Sequence, residues 1–370
     1  VKTLTTRRRA VTTAAATVAA GSLILTGCSN AGNGGGGVDS ESSYELTDAQ
    51  GELRGEGASS QQKAMEQFGV AYSSTVPGAT LAYNATGSGA GQKQFIANQV
   101  DFGGSDSPLD EEQAAAAAER CGGNDAWHLP MVVGPVAVAY NLEGVGDLNL
   151  SVGTIAKIFK GEIRNWNDGA IAAENEGVDL PDQPIDVLYR AEESGTSDNF
   201  QSFLKTATDG EWETEGKTFP TRVGSGAQGS SGVADQVKAT NGSITYVESG
   251  FATANDLGIA NIDFGAGPTE LNAETVNKAL SEVSFAGEGN DLVVDSDALY
   301  AMKEEGAYPL ALTTYEIVCS AGYDEETAGQ VKDFLHTILD NQNEQLEEAG
   351  YIPLSGSFKE KLETAVDALQ

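Results

Sequence analysis

Arg190, Glu192 and the run Ser194-Gly195-Thr196-Ser197 bring together the residue types that grip a small oxyanion. A strand-like stretch from Ile185 to Tyr189 delivers the arginine. Behind the run, Phe200, Phe203, Leu204 and Ala207 recur at helical spacing, so the hydroxyls open a helix. The first N–H groups of a helix lack intrahelical partners, and the helix dipole favours negative charge beside them. An arginine adds a bidentate fork. Ser194 by itself is also an ordinary N-cap, so the oxyanion interpretation gains its weight from repetition.

The pattern recurs three times. Thr80 to Asn84 reads as a strand that runs into Thr86-Gly87-Ser88-Gly89-Ala90-Gly91, ahead of a short helical pattern through Gln94, Phe95, Ile96 and Asn98. Glycine lets backbone approach a ligand closely, and Ser88 adds a hydroxyl. Val100 to Asp106 ends another short strand before an alanine-rich helix over 109–119, which Asp106, taken alone, is placed to cap. Nearer the start, Leu53 to Ser60 leads into Gln62 to Phe68, with Ser59 or Ser60 as N-cap. Strand–turn–helix units in succession predict an α/β fold. In open α/β sheets, ligands sit beyond the carboxyl ends of the strands, where these four turns lie.

With these turns in place, the chain resembles the phosphate-binding lipoproteins that serve bacterial phosphate-specific ABC transporters. The matching segments are 55–59, 87–94, 100–109 and 190–197, joined by 161–168, 244–248 and 308–314. The resemblance implies phosphate contacts from Ser59, Ser60, Ser88, Asp106, Arg190, Ser194, Gly195 and Thr196. It also implies a two-lobed periplasmic-binding-protein fold of type II topology, with two crossovers forming a hinge. Two positions depart from the family pattern. Ser59-Ser60-Gln61 replaces a common Thr-Phe-Pro or Ser-Phe-Pro, and Glu192 stands where an aspartate usually orients the arginine.

The implied mechanism is selection by hydrogen-bond sign. An ionised Asp106 only accepts, so it welcomes a ligand that brings its own proton. Mono- and dihydrogen phosphate do so, and sulfate at neutral pH does not. Mismatches of this kind discriminate by roughly 10⁴-fold. Inorganic phosphate is the expected ligand, and a membrane ABC permease with its ATPase subunits the expected receiver. Other outcomes in the same class are a receptor for another tetrahedral oxyanion, arsenate above all, or a surface adhesin or signalling module that reuses the fold.

The 370 residues suffice for two cored lobes, expected at 45–130 with 307–370 and at 131–306. The apolar run Met131 to Tyr140 would hold the first crossover and Tyr308-Pro309-Leu310 would lie near the second. Residues 1–27 read as a lipoprotein signal peptide, with Arg7-Arg8-Arg9 as its basic start and Leu25-Thr26-Gly27-Cys28 as a lipobox. Lipidated Cys28 would begin a Gly/Ser-rich tether over 28–44, fixing the protein to the extracytoplasmic face of the cell membrane. The two remaining cysteines, Cys121 and Cys319, allow either a disulfide or two buried thiols.

The formal charge is −34, and four units more negative without Lys2, Arg7, Arg8 and Arg9. Nucleic acid is thereby excluded as a partner. No cofactor, metal or enzymatic activity is expected, and a monomer is. Gly224 to Gly229 fits a dinucleotide fingerprint but has no clear strand ahead of it. Gly216-Lys217-Thr218 ends like a P-loop, yet Glu211 stands where the first glycine belongs. The two histidines, His128 and His336, read as structural.

Overall fold

The computed structural model describes residues 42–370 except 221, 222 and 282. Cys28, the signal segment and most of the tether lie outside the described residues. In chain order, β1 (Gly51–Gly57), α1 (Gln62–Thr75), β2 (Ala79–Asn84), α2 (Ser88–Ile96), β3 (Phe102–Ser105) and α3 (Glu111–Arg120) alternate. Their strands form a parallel set, β2-β1-β3. The long β4 (Ala126–Asn141) follows, then β5 (Asn149–Ser151), α4 (Val152–Lys160) and α5 (Gly169–Glu174). Next come β6 (Asp186–Arg190), α6 (Gly195–Ala207), β7 (Ser225–Ala227), α7 (Gly229–Ala239) and β8 (Ser243–Glu248). The strands β8-β6-β7 make a second parallel set.

The remainder comprises α8 (Ser249–Ala254), β9 (Gly258–Ile259), β10 (Asn261–Asp263), β11 (Pro268–Thr269), α9 (Ala273–Leu280) and α10 (Ser296–Tyr300). It ends with β12 (Ala311–Cys319), α11 (Glu325–Asp340), α12 (Glu344–Glu348) and α13 (Gly356–Asp367). The sheet runs β2-β1-β3-β12-β4-β8-β6-β7, with β9 also on β4, and a small β11-β10-β5 sheet stands apart.

Two antiparallel strands join the parallel sets. Residues 126–135 of β4 pair with β12, and residues 136–141 pair with β8, so this one strand belongs to both halves. Its apolar residues are buried nearly throughout, including Val132, Val133, Val136 and Val138. A strand covered on both faces needs such a continuous run rather than alternation. Each full burial stabilises by roughly 1.5–3 kcal/mol. Tyr308, ahead of β12, donates its hydroxyl to the Val136 carbonyl at 2.8 Å, at the point where β4 changes partner.

Several local expectations are corrected. Asp110, not Asp106, caps α3 in a capping box with Gln113. Neither Ser59 nor Ser60 caps α1; Gln61 holds that position without a side-chain bond. The Gly/Ser segment after β2 is the first turn of α2, beginning at Ser88, and not a loop before it. Helices α11 and α12 are separate, because the Asn343 side chain accepts from Gln345 and Leu346 N–H groups and starts α12 afresh.

The Cys121 and Cys319 sulfurs are bonded, with Cα atoms 5.4 Å apart, tying the end of α3 to the end of β12. Chain entry is held by buried Asp333, which accepts from Thr47 N and Oγ1 and from Ala49 N. Among the described residues, no helix is long and apolar enough to cross a membrane.

Candidate oxyanion site

The carboxyl ends of β1, β3, β6 and β8 deliver side chains to one buried cluster. Gly57 lets β1 end against β3: its φ is +145°, and a Cβ there would run into the Gly104 carbonyl. Ser59 and Ser60 follow at once, 2% and 1% exposed. Asp106 follows β3 at 4% exposure, Arg190 ends β6 at 2%, and Ser88, Ser194 and Thr196 are as deeply buried. All eight residues singled out in the sequence therefore meet in one place.

Asp106 collects hydroxyl protons. Its Oδ1 accepts from Ser60 Oγ at 2.5 Å and from Thr314 Oγ1 at 2.8 Å, and its Oδ2 accepts from Ser88 Oγ at 3.3 Å. Burial raises the Asp106 pKa to about 6, and the charge of Glu248 adds to the rise. The Ser60 and Thr314 hydrogen bonds and the Arg190 charge oppose it. At pH 7 and above the group is therefore mainly a carboxylate.

Arg190 does the reverse and gives protons away. Its Nε donates to Glu192 Oε1 at 2.6 Å, and Nη2 donates to the same oxygen. Nη1 donates to Thr196 Oγ1 and Ser230 Oγ, both at 3.1 Å, and Nη2 also reaches Ser59 Oγ at 2.7 Å. Glu192, despite its longer arm, thus grips the guanidinium directly, and its carboxylate also accepts from Gly229 N. Ser194 caps α6, its Oγ accepting from Ser197 N at 3.2 Å. Its own N–H is committed to the Lys217 carbonyl.

The two halves touch through this cluster. Gly195 packs so closely that a Cβ would meet Ser88 Oγ, and would sit 2.5 Å from Asp106 Cβ. Asn199 Nδ2 donates to the Asp106 carbonyl at 2.7 Å, and Ser107 Oγ donates to Asp198 Oδ2 at 2.6 Å.

Three members of the cluster were not singled out as site residues. Ser230 opens α7, and its N–H donates to Ser59 Oγ at 3.0 Å. Gly224 to Gly229 turns out to be a strand–turn–helix unit of the same kind, but β7 is only three residues of Ser, Gly and Ala, so it carries no apolar signal. Thr314 and Glu248 sit within strands and reach the site by register alone. His128 is bonded on both sides, its Nε2 accepting from Leu109 N and its Nδ1 facing Asp291. Among the described residues, no group of three or more His, Cys, Asp or Glu is placed to hold a metal ion.

Residues 42–341 match the family model described as a PBP superfamily domain. The phosphate-binding protein PstS 3 of Mycobacterium leprae (strain TN) is 45% identical over 352 residues, covering 94% of this chain and 95% of that protein. The phosphate-binding protein PstS of Xylella fastidiosa (strain Temecula1 / ATCC 700964) is 30% identical over 317 residues, 84% of each chain. Among solved structures, a high affinity periplasmic phosphate-binding protein (PfluDING) bound with phosphate superposes with a TM-score of 0.69. It covers 85% of this chain and 93% of its own at 24% identity, a likeness of fold. A match of this length to the superfamily model, with relatives 45% identical almost throughout, places the chain in the PBP superfamily and, within it, among the phosphate-binding PstS proteins.

Proposed function

We propose that this chain captures inorganic phosphate between two lobes outside the cytoplasm and passes it to an ABC permease and its ATPase subunits for import. One observation carries the reading: a buried carboxylate, Asp106, faces a buried guanidinium, Arg190, inside a ring of hydroxyls and helix N-termini. The guanidinium side supplies donors to an anion. The carboxylate side tolerates only an anion that still holds a proton. The Ser60 hydroxyl is spent on Asp106, so Ser60 meets the ligand through its backbone N–H, as Gly195 and Thr196 do from the first turn of α6. The Ser88 hydroxyl is spent on Asp106 as well, so Ser88 meets the ligand through its backbone N–H at the start of α2, while side chains of Ser59, Ser194 and Arg190 complete the grip, with Ser230 behind them.

The lobes are 45–130 with 307–370, and 131–306, with β4 and the segment before β12 as the crossovers. Lipidated Cys28 anchors the protein to the cell membrane, and it works as a monomeric binder, not an enzyme. Calorimetric titration of the phosphate-stripped protein at pH 8 tests the reading. One-to-one phosphate binding with sulfate weaker by three orders of magnitude or more supports it. Sulfate binding as tight as phosphate, or binding of neither ion, overturns it.

A further inference from the structure

The backbone of Asp106 is held from the opposite half by Asn199, a side chain outside the ring of groups that grips the anion. Asn199 lies on the second turn of α6 and donates Nδ2 to the Asp106 carbonyl at 2.7 Å and to the Gly195 carbonyl at 2.9 Å. Its Oδ1 accepts the Tyr300 hydroxyl proton at 2.6 Å. Tyr300 is 1% exposed and packs edge-on against Phe203 of α6, which fixes where its hydroxyl lies. The amide therefore has one workable orientation, since turned over it would set its oxygen against two carbonyls.

Asp106 is packed tightly on one side and loosely on another. A Cβ on Gly195 would sit 2.5 Å from Asp106 Cβ, so the start of α6 leaves no slack there. Towards β12 and α10, by contrast, a cavity of about 160 Å³ adjoins Asp106, Pro108, Asn199, Tyr300 and Tyr315. The loop that carries the carboxylate thus has room into which it can back away. Among the described residues, two side chains from α6 reach across to it: Asn199 to the Asp106 carbonyl, and Asp198 to the Ser107 hydroxyl.

We infer that Asn199 is a positioning residue for specificity, which pins Asp106 against the ligand when the halves meet and so lets the carboxylate exclude an anion without a proton. This rests on the phosphate reading above. A ligand favours closure only as far as its contacts in the closed form exceed those in the open one. Phosphate brings a proton, leaves Asp106 in place, and closure then gains the Asn199 bond. Sulfate at neutral pH sets a bare oxygen against the carboxylate, and the mismatch is relieved only if Asp106 backs into the cavity. Backing away breaks the Asn199 bond and strands the Asp106 carbonyl, which has a cost of its own. Without Asn199 that retreat carries no such cost, so the site still binds but discriminates less.

The test is calorimetric titration of wild type, Asn199→Ala and Tyr300→Phe with inorganic phosphate and with sulfate at pH 8, where Asp106 is ionised. Asn199→Ala should bind phosphate about tenfold more weakly and sulfate within about twofold of wild type, so the preference shrinks about tenfold. Tyr300→Phe keeps the ring against Phe203 but frees the amide to turn, and the preference should shrink about threefold. A role in folding alone would lower the melting temperature and move both affinities together. Equal losses for the two anions in Tyr300→Phe therefore overturn the inference, whether or not Asn199→Ala folds. A wild-type preference for phosphate that survives both substitutions unchanged overturns the inference alone. Sulfate bound by wild type as tightly as phosphate overturns the phosphate reading and this inference with it.

Discussion

At Asp106 three hydroxyls converge on one carboxylate, whereas at Arg190 one guanidinium fans out to three hydroxyls and a carboxylate. The contrast lies in which way the protons point. Around Asp106 they are drawn inward, leaving an acceptor that the hydroxyls keep in place. Around Arg190 the lone pairs are drawn inward: Ser59 Oγ accepts from both Arg190 and Ser230 N, and its own proton faces Ser230 Oγ at 3.2 Å, from which a ligand must draw it. One side reads protons and the other supplies them. Tight binding and discrimination therefore reside in different residues, and each can be broken separately.

The largest loss is expected on the donor side. Arg190→Met removes five donors and leaves Glu192 buried without its partner, its side chain only 11% exposed. Breaking a buried pair in this way costs about 3–5 kcal/mol. Phosphate binding should weaken by about 10³-fold or more in calorimetry, with a clear drop in thermal stability. Affinity retained within tenfold would show that backbone N–H groups, and not the guanidinium, hold the ligand.

Asp106→Asn should do something different. Asparagine keeps an acceptor for Ser60 and Thr314 and adds a donor. Phosphate affinity is expected to fall about 10- to 100-fold while sulfate gains, so that the preference shrinks by roughly 10³-fold. The two titrations, run side by side, measure the preference directly. An unchanged ratio of the two affinities would remove Asp106 from the specificity mechanism.

The asymmetry was only partly legible in the sequence. Ser59, Ser88, Asp106, Arg190 and Ser194 stood out because each follows an apolar strand and precedes a helix, so local spacing alone places them at a sheet's carboxyl edge. Ser230 has the same placement, but Ser225-Gly226-Ala227 has no alternation from which a strand can be read. Thr314 and Glu248 are invisible for another reason. Thr314 lies more than 200 residues from Asp106 and Glu248 more than 50 from Thr196, and only the pairing of β12 with β3 and β4, and of β8 with β4, brings them in. The caps were misread where two residues competed: Ser59 and Ser60 look like N-caps, yet their hydroxyls are taken by Arg190 and Asp106, and the cap falls to Gln61.

A pH titration sharpens the comparison with a smaller effect. Asp106 titrates at about 6, so it gains a proton, and becomes a donor, as pH falls through that value. From pH 8 to pH 5 its neutral fraction rises from about 1% to about 90%. Sulfate affinity should therefore increase by up to about 100-fold over this range in wild type, and hardly at all in Asp106→Asn, which already donates. The Arg190 side has no counterpart, since a guanidinium stays charged throughout. Sulfate binding that is as weak at pH 5 as at pH 8 would mean that the carboxylate does not set the exclusion.

Glu316 supplies the smallest test, because it is a carboxyl on the same strand as Thr314 that lacks what Asp106 has. It is fully buried opposite Gly104 and Leu129, and neither of its oxygens has a hydrogen-bond partner. Burial pushes its pKa well above the ordinary 4.5, the nearby Gln61 amide, too far for a well-formed hydrogen bond, pulls weakly the other way, and the charge of Asp106 pushes with burial. The folded chain thus keeps a proton that the unfolded chain loses above about 4.5, so this group makes stability fall as pH rises from there towards the folded value. Glu316→Gln cannot lose that proton. It should match wild type near pH 4.5 and exceed it by a widening margin towards pH 8, where each 1 kcal/mol would read as about 2 °C in the melting temperature. Phosphate affinity should stay within about threefold, because the substitution leaves the three hydroxyls on Asp106 in place. A variant less stable than wild type at pH 8 would show that Glu316 is ionised and partnered, and that hydroxyl donors are not what separates the two carboxyls.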